Sequence, residues 1–284
     1  MRVAVLSDIH SNHLALQACL DHAARNEADL YLFLGDYVGE LAYPQKTMEL
    51  LYRFTEGHDC RFIRGNREDY WAQYEARGKT GWKEFDTTTG CLHYAYHNLT
   101  QRDLAFFRTL PHAAQVDFPG LPSLTLCHGS PSKTKEQLLP GSPTTLAALR
   151  SCPTDTLLCG HTHLPCKVQH AGKTLLNPGS VGMTHSCAQT QYLLLDGTAH
   201  GWQETFVQLD YDVEAVIREL HESGLSQRAP YWCLTTEHML RGADINHSQM
   251  LVRAMAICRE QNGVCNFPEI PEACWERAAR ELLG

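Results

Sequence analysis

Five short blocks of this sequence carry side chains that ligate metals: Asp8 and His10, then Asp36, Asn66, His128, and the pair His161 and His163. Carboxylate, imidazole and amide oxygen together suit divalent ions of borderline character, such as manganese, iron, zinc or nickel. A lone histidine more often satisfies a hydrogen bond in a core. Here every block directly follows an apolar run of strand character: Val3 to Leu6, Leu30 to Leu34, Cys60 to Ile63, Ser123 to Cys127, and Thr156 to Cys159. Strands of an open α/β sheet deliver their carboxyl ends to one crevice, so residues far apart in sequence can meet there. The joint pattern points to a metal centre at the strand ends.

The ordered set Asp8-x-His10, Gly35-Asp36, Gly65-Asn66, His128-Gly129 and Gly160-His161-x-His163 resembles the motifs of the calcineurin-like metallophosphoesterases. Ser7-Asp8-Ile9-His10-Ser11-Asn12, His128-Gly129-Ser130-Pro131 and Asn177-Pro178-Gly179-Ser180-Val181-Gly182 are similar to its small bacterial and archaeal phosphodiesterase branch, which includes diadenosine tetraphosphate hydrolases. The likeness runs over about residues 1 to 224. It implies a four-layer α/β/β/α sandwich and two divalent metal ions. Asp8, His10, Asp36 and His163 would hold one ion, and Asp36, Asn66, His128 and His161 the other, with Asp36 bridging. It also implies hydrolysis of a phosphodiester, activated phosphomonoester or phosphoanhydride by a hydroxide shared between the ions, with Asp36, Asn66, Arg67 and His128 as catalytic residues. Two carboxylates and a hydroxide leave two divalent ions with net positive charge, which suits a phosphorylated small molecule or nucleotide.

The third block departs from the family. Many members carry a histidine after Gly-Asn that protonates the leaving oxygen, whereas this chain has Gly65-Asn66-Arg67-Glu68. An arginine stays protonated at any working pH, so Arg67 is expected to bind substrate phosphate through its planar fork and not to donate a proton. Leaving groups that depart as stable anions should then be favoured over alkyl alcohols. His13 and His185 are the candidate substitute acids, and ordinary loop roles suit both. Glu68 reads equally as an orienting group or a helix-start carboxylate, and Arg64 as phosphate-facing or solvent-facing.

The elements that must position these groups alternate strand and helix, which itself implies a layered α/β domain. Helical spacing covers Leu14 to Arg25 and Lys46 to Thr55; Lys173 to Leu176 and Gln191 to Leu195 read as further strands, and the core is expected to close near Gln208. Residues 1–210 are read as the catalytic domain. Residues 70–112 are aromatic, charged and threonine-rich, with no run like a core strand, and are read as a helical cap-like insertion whose rings form packed core more readily than a nucleobase platform. Residues 211–284 are read as a helical C-terminal extension serving packing or oligomerisation, its oligomeric state left open.

Composition sets outer bounds. Hydrophobic residues at 43% and charged residues at 20% describe a folding globular chain. A formal charge of -8 disfavours nucleic acid as a partner. The start of the chain reads as a strand broken by charge, unlike a signal peptide, and no apolar run is long enough to span a bilayer, so a cytoplasmic location without membrane partners is expected. The twelve cysteines include no C-x-x-C pair and are read as reduced thiols. Three rivals remain: a serine/threonine protein phosphatase, a catalytically weak scaffold of the same fold, and, weakest, a structural zinc protein.

Overall fold

The computed structural model describes residues 1–284. In chain order its elements are β1 (Arg2–Leu6), α1 (His13–Arg25), β2 (Leu30–Phe33), α2 (Pro44–Thr55), β3 (Cys60–Phe62), α3 (Asn66–Ala76), α4 (Gly90–His97), α5 (Gln101–Thr109), β4 (Ala113–Phe118) and β5 (Leu121–Cys127). They continue with α6 (Pro143–Ser151), β6 (Thr156–Leu158), β7 (Cys166–His170), β8 (Lys173–Asn177), β9 (Thr190–Thr198) and β10 (Gly201–Leu209). Five helices follow: α7 (Val213–Glu222), α8 (Leu225–Arg228), α9 (Pro230–Leu240), α10 (His247–Asn262) and α11 (Glu272–Leu283).

The central strands are apolar on both faces, and that fixes the layering. Along β1, Val3 and Val5 point to one core while Ala4 and Leu6 point to another; β2 divides Leu30 and Leu32 from Tyr31 and Phe33 in the same way. The first set meets Leu124 and Leu126 of β5, Leu158 of β6 and Leu176 of β8, so two sheets pack face to face. One sheet runs in the order β10-β9-β1-β2-β3 and the other β4-β5-β6-β8-β7. The outer face of the first is covered by α1, α2 and the helices of residues 66–109. The outer face of the second meets α6 through Leu149, Leu157 and Leu175. The result is the α/β/β/α sandwich.

Trp71, Tyr74, Tyr96, Leu104 and Phe107 of the aromatic segment pack into the same core as α1 and β1. The final helices do not stand apart either. Val216, Ile217 and Leu220 of α7 pack with Leu41, Ala42, Cys91, Tyr94 and Met183. Glu272 of α11 accepts two 2.7 Å hydrogen bonds from Thr87, and Trp275 donates to Thr88 at 3.2 Å. These bonds clip the C-terminal layer onto the aromatic segment. No helix is long and apolar enough to cross a membrane, and all twelve cysteines are free.

Candidate metal centre

Each strand hands its ligand to a loop whose backbone turns sharply. Asp8, His10, Asp36, His161 and His163 have φ of 56°, 50°, 55°, 65° and 57°, all in the left-handed region. That region costs an L-residue about 1 kcal/mol or more and marks sites where backbone direction matters more than local comfort. The loops brace one another: the N–H groups of Ile9 and His10 both donate to the Asp36 carbonyl (2.9 and 3.0 Å), Gly160 N–H to the His128 carbonyl (2.7 Å), and Gly182 N–H to the Asp8 carbonyl (2.9 Å). Gly65 is required by this crowding, since a Cβ there would stand 2.2 Å from Asp36 Oδ1.

At the focus, Asp8 Oδ1 lies 3.2 Å from His163 Nε2, 3.7 Å from His10 Nε2 and 3.8 Å from His128 Nε2. Asp36 reaches both sides, with Oδ1 3.5 Å from His128 Nε2 and Oδ2 3.9 Å from His10 Nε2. Asn66 Oδ1 stands 3.2 Å from His128 Nε2. Two overlapping groups result: Asp8, His10 and His163, and Asp8, Asp36 and His128.

The donor chemistry fits a cation. His128 Nδ1 donates to the Leu34 carbonyl at 2.8 Å and His163 Nδ1 to the Met183 carbonyl at 2.6 Å, so in the neutral rings Nε2 carries a lone pair. Those lone pairs face carboxylate oxygens, the Asn66 amide oxygen and, at 3.1 Å, one another across His10 and His163. Acceptors converging on acceptors call for a proton or a metal ion between them. Asp8 Oδ1 is buried and has no hydrogen-bond partner. Burial opposes ionisation of both carboxylates, yet the histidines hold Asp8 and Asp36 below the usual carboxylate range. Burial likewise opposes a charge on His128, but Asp36 and Asp8 override it and push the ring up to about 9. The site thus favours positive charge where a metal would sit.

Of the sequence candidates, Asp8, His10, Asp36, Asn66, His128 and His163 are brought together. His161 stands beside them with its ring turned: its backbone N–H donates to Asp8 Oδ2 (3.0 Å), and its Nε2 donates to the Lys135 carbonyl (3.1 Å). Arg67 donates its backbone N–H to Asp36 Oδ1 at 2.8 Å and turns its guanidinium onto Glu40. Glu68 does not pair with Arg67. Its carboxylate accepts from the N–H groups of Gly65, Asp36 and Tyr37 at 2.7, 3.0 and 3.1 Å, clamping the Asp36 loop to the start of α3. Arg64 is engaged by Asp69 and the Leu110 carbonyl, away from phosphate. His13 sits against Glu219. His185 does line the cleft beside His163, but burial and the neighbouring His163 ring lower it to about 4, so it is neutral near pH 7 and no ready acid. His93 and His97 lie against each other along α4 with their rings tilted by 42°, and line neither the cleft nor the cavity beside it.

Two groups were not visible in the sequence. Glu40 is 5% exposed, and its Oε2 lies 2.7 Å from His10 Nδ1. The C-terminal helices, read above as serving packing or oligomerisation, supply a wall of the cleft through Trp232, Asn246, His247, Ser248 and Leu251. The cleft over the ligands encloses about 410 Å³.

Comparison with known proteins agrees with this geometry. Residues 1–200 match the calcineurin-like phosphoesterase superfamily domain. The uncharacterized protein MJ0912 of Methanocaldococcus jannaschii is 25% identical over 249 residues, spanning 81% of this chain and 94% of that protein. Two solved structures share the fold: the hypothetical protein PH1004 from Pyrococcus horikoshii OT3 (TM-score 0.69, 22% identity, 79% of this chain and 94% of that one), and a metallophosphoesterase from Sphaerobacter thermophilus (TM-score 0.64, 22% identity, 81% and 98%). With its domain match covering most of its length and its candidate ligands gathered at the strand ends, the chain belongs to the calcineurin-like phosphoesterase superfamily.

Proposed function

We propose that this protein hydrolyses phosphate esters or anhydrides at two divalent metal ions held by Asp8, His10, Asp36, Asn66, His128, His161 and His163. The supporting observation is the convergence of imidazole lone pairs, an amide oxygen and two buried carboxylates on one point, with Asp8 Oδ1 lacking any other partner. When bound, such ions would lower the pKa of a water and neutralise charge on phosphoryl oxygens. Asp36, with one oxygen toward His128 and the other toward His10, is suited to bridge. His161 would join the set by turning its ring from the Lys135 carbonyl.

Arg67 lines the cleft and offers guanidinium N–H groups to a phosphoryl oxygen while Glu40 anchors its far end. It cannot give up a proton. Because His185 is neutral as well, the departing oxygen leaves without a dedicated acid, and the substrates should be anhydrides, including dinucleoside polyphosphates, or esters of acidic alcohols. Residues 1–210 would form the catalytic domain, with 70–112 a cap-like insertion beside its cleft and 211–284 supplying a wall of it, in a cytoplasmic protein with manganese among the candidate ions.

The test is hydrolysis of nitrophenyl phosphate and an alkyl phosphate by protein reconstituted with manganese, iron, zinc or nickel. Strong preference for the nitrophenyl ester is expected. Comparable rates would refute the leaving-group argument, and inactivity with every metal would refute the function.

A further inference from the structure

Beside the metal-facing cleft lies a second cavity of about 560 Å³. Glu40, Arg67, Trp232 and Leu251 line both, so the two spaces meet at a neck formed by these four residues. The second lining has a different character. Tyr70, Tyr74 and Trp82 give it flat walls, while Arg77 and Lys135 join Arg67 as cations. The one carboxylate there, Glu40, is already paired with Arg67. In a chain with a formal charge of -8, this is a locally cationic chamber.

Its rings are held in place before any ligand arrives. Trp82 stacks on Tyr74 with centroids 3.9 Å apart and planes 7° from parallel, and it meets Trp71 edge-on. Trp232 is backed by His247 at 4.2 Å and 5°. Lys135 Nζ sits 4.2 Å from the centre of the Tyr70 ring. Tyr70, Trp82 and Trp232 are only partly buried, unlike Trp71 and Tyr74, which belong to the core. Preordered aromatic walls bind flat groups with little ordering cost, and cations beside them favour an anionic ligand. Trp232, Leu251, Phe267 and Pro268 of this chamber come from beyond residue 200, outside the matched family domain.

We infer that this chamber receives the planar ring of a nucleotide-class substrate whose phosphate lies at the metal centre, with Arg67 at the neck between them. The inference rests on reading the metal centre as a phosphate site. Stacking of a base on aromatic walls corresponds to about tenfold or more in affinity.

Calorimetric binding to the manganese-loaded, full-length protein tests it with two probes, adenosine 5′-monophosphate and ribose 5-phosphate, which differ only in the base. Adenosine monophosphate should bind at least about tenfold more tightly. Trp82→Leu, at a partly buried aromatic wall position, and Tyr70→Leu should each erode that preference while leaving ribose 5-phosphate and manganese binding as in the wild type. Equal binding of the probes, binding of neither, or a preference untouched by both variants overturns the inference. Nitrophenyl phosphate hydrolysis run in parallel separates the two levels. A base preference without hydrolysis keeps the chamber and refutes the phosphoesterase reading; hydrolysis without base preference does the reverse.

Discussion

Replacing Glu40 by glutamine should weaken metal binding although Glu40 is not itself a candidate ligand. Its Oε2 lies 2.7 Å from His10 Nδ1, and its Oε1 meets the Arg67 guanidinium. A carboxylate oxygen 2.7 Å from Nδ1 draws the ring proton to that nitrogen by its charge, although the two atoms are not aligned as a hydrogen bond, and so leaves the Nε2 lone pair toward Asp8 and His163. Glutamine has nearly the same shape but one acceptor and one donor end. Arg67 offers only donors, so it claims the amide oxygen and turns the NH₂ toward His10. Nδ1 must then accept, which places the ring proton on Nε2, pointing into the metal centre. Loss of an orienting partner of this kind costs about 10- to 100-fold in metal affinity, or about 1.4–2.7 kcal/mol. Manganese titration against a competing chelator measures it. Glu40→Ala should also melt lower in the metal-free state, because it leaves a largely buried guanidinium without its counter-ion. Wild-type manganese affinity in Glu40→Gln would refute the tautomer argument, whatever happened to turnover.

Asp36→Asn should abolish nearly all turnover and bind fewer than two metal equivalents, counted by elemental analysis after dialysis; two retained metals would contradict a bridging role. Gly65→Ala forces a Cβ to within 2.2 Å of Asp36 Oδ1, and should lower stability by about 1–3 kcal/mol in denaturant melts together with metal affinity. Burial holds His247 neutral, down to about 3 against an ordinary 6.5. Below pH 6.5 the unfolded chain therefore takes up a proton that the folded chain refuses, and the stability present above that pH is lost progressively as pH falls toward 3. In chelated protein, His247→Phe should flatten the fall in melting temperature between pH 7 and 5. It should not abolish it, because His161 and His185 are lowered to about 4 and contribute in the same direction.

What the sequence displayed and what it concealed follow from how far each interaction reaches along the chain. Most of the candidate ligands were legible because they sit where a doubly buried apolar strand stops: Leu6 before Asp8, Leu126 and Cys127 before His128, Leu158 before His161; Asn66 follows the half-buried edge strand β3. Three strands escaped notice, β4, β7 and β10, and all three are sheet edges. An edge strand with one wet face alternates, as Cys166–His170 does, between half-buried and exposed residues, and so lacks the continuous apolar run of β1 or β2. The ring orientation of His161 depends on the Lys135 carbonyl, a backbone group that no side-chain pattern announces. Glu40 was hidden for a related reason. It stands in a loop between β2 and α2 without periodic context, and its meaning comes from the distant meeting of His10 with Arg67. That meeting also explains how an arginine is tolerated beside the candidate ligands. A guanidinium beside a centre that gathers candidate cation ligands would be repelled by a bound ion, and Glu40, set between Arg67 and His10, supplies the compensating charge. The two residues act as one electrostatic unit. If so, the double variant Glu40→Gln with Arg67→Gln should recover metal affinity that Glu40→Gln alone loses, since without Arg67 the amide is free to turn its oxygen back toward His10.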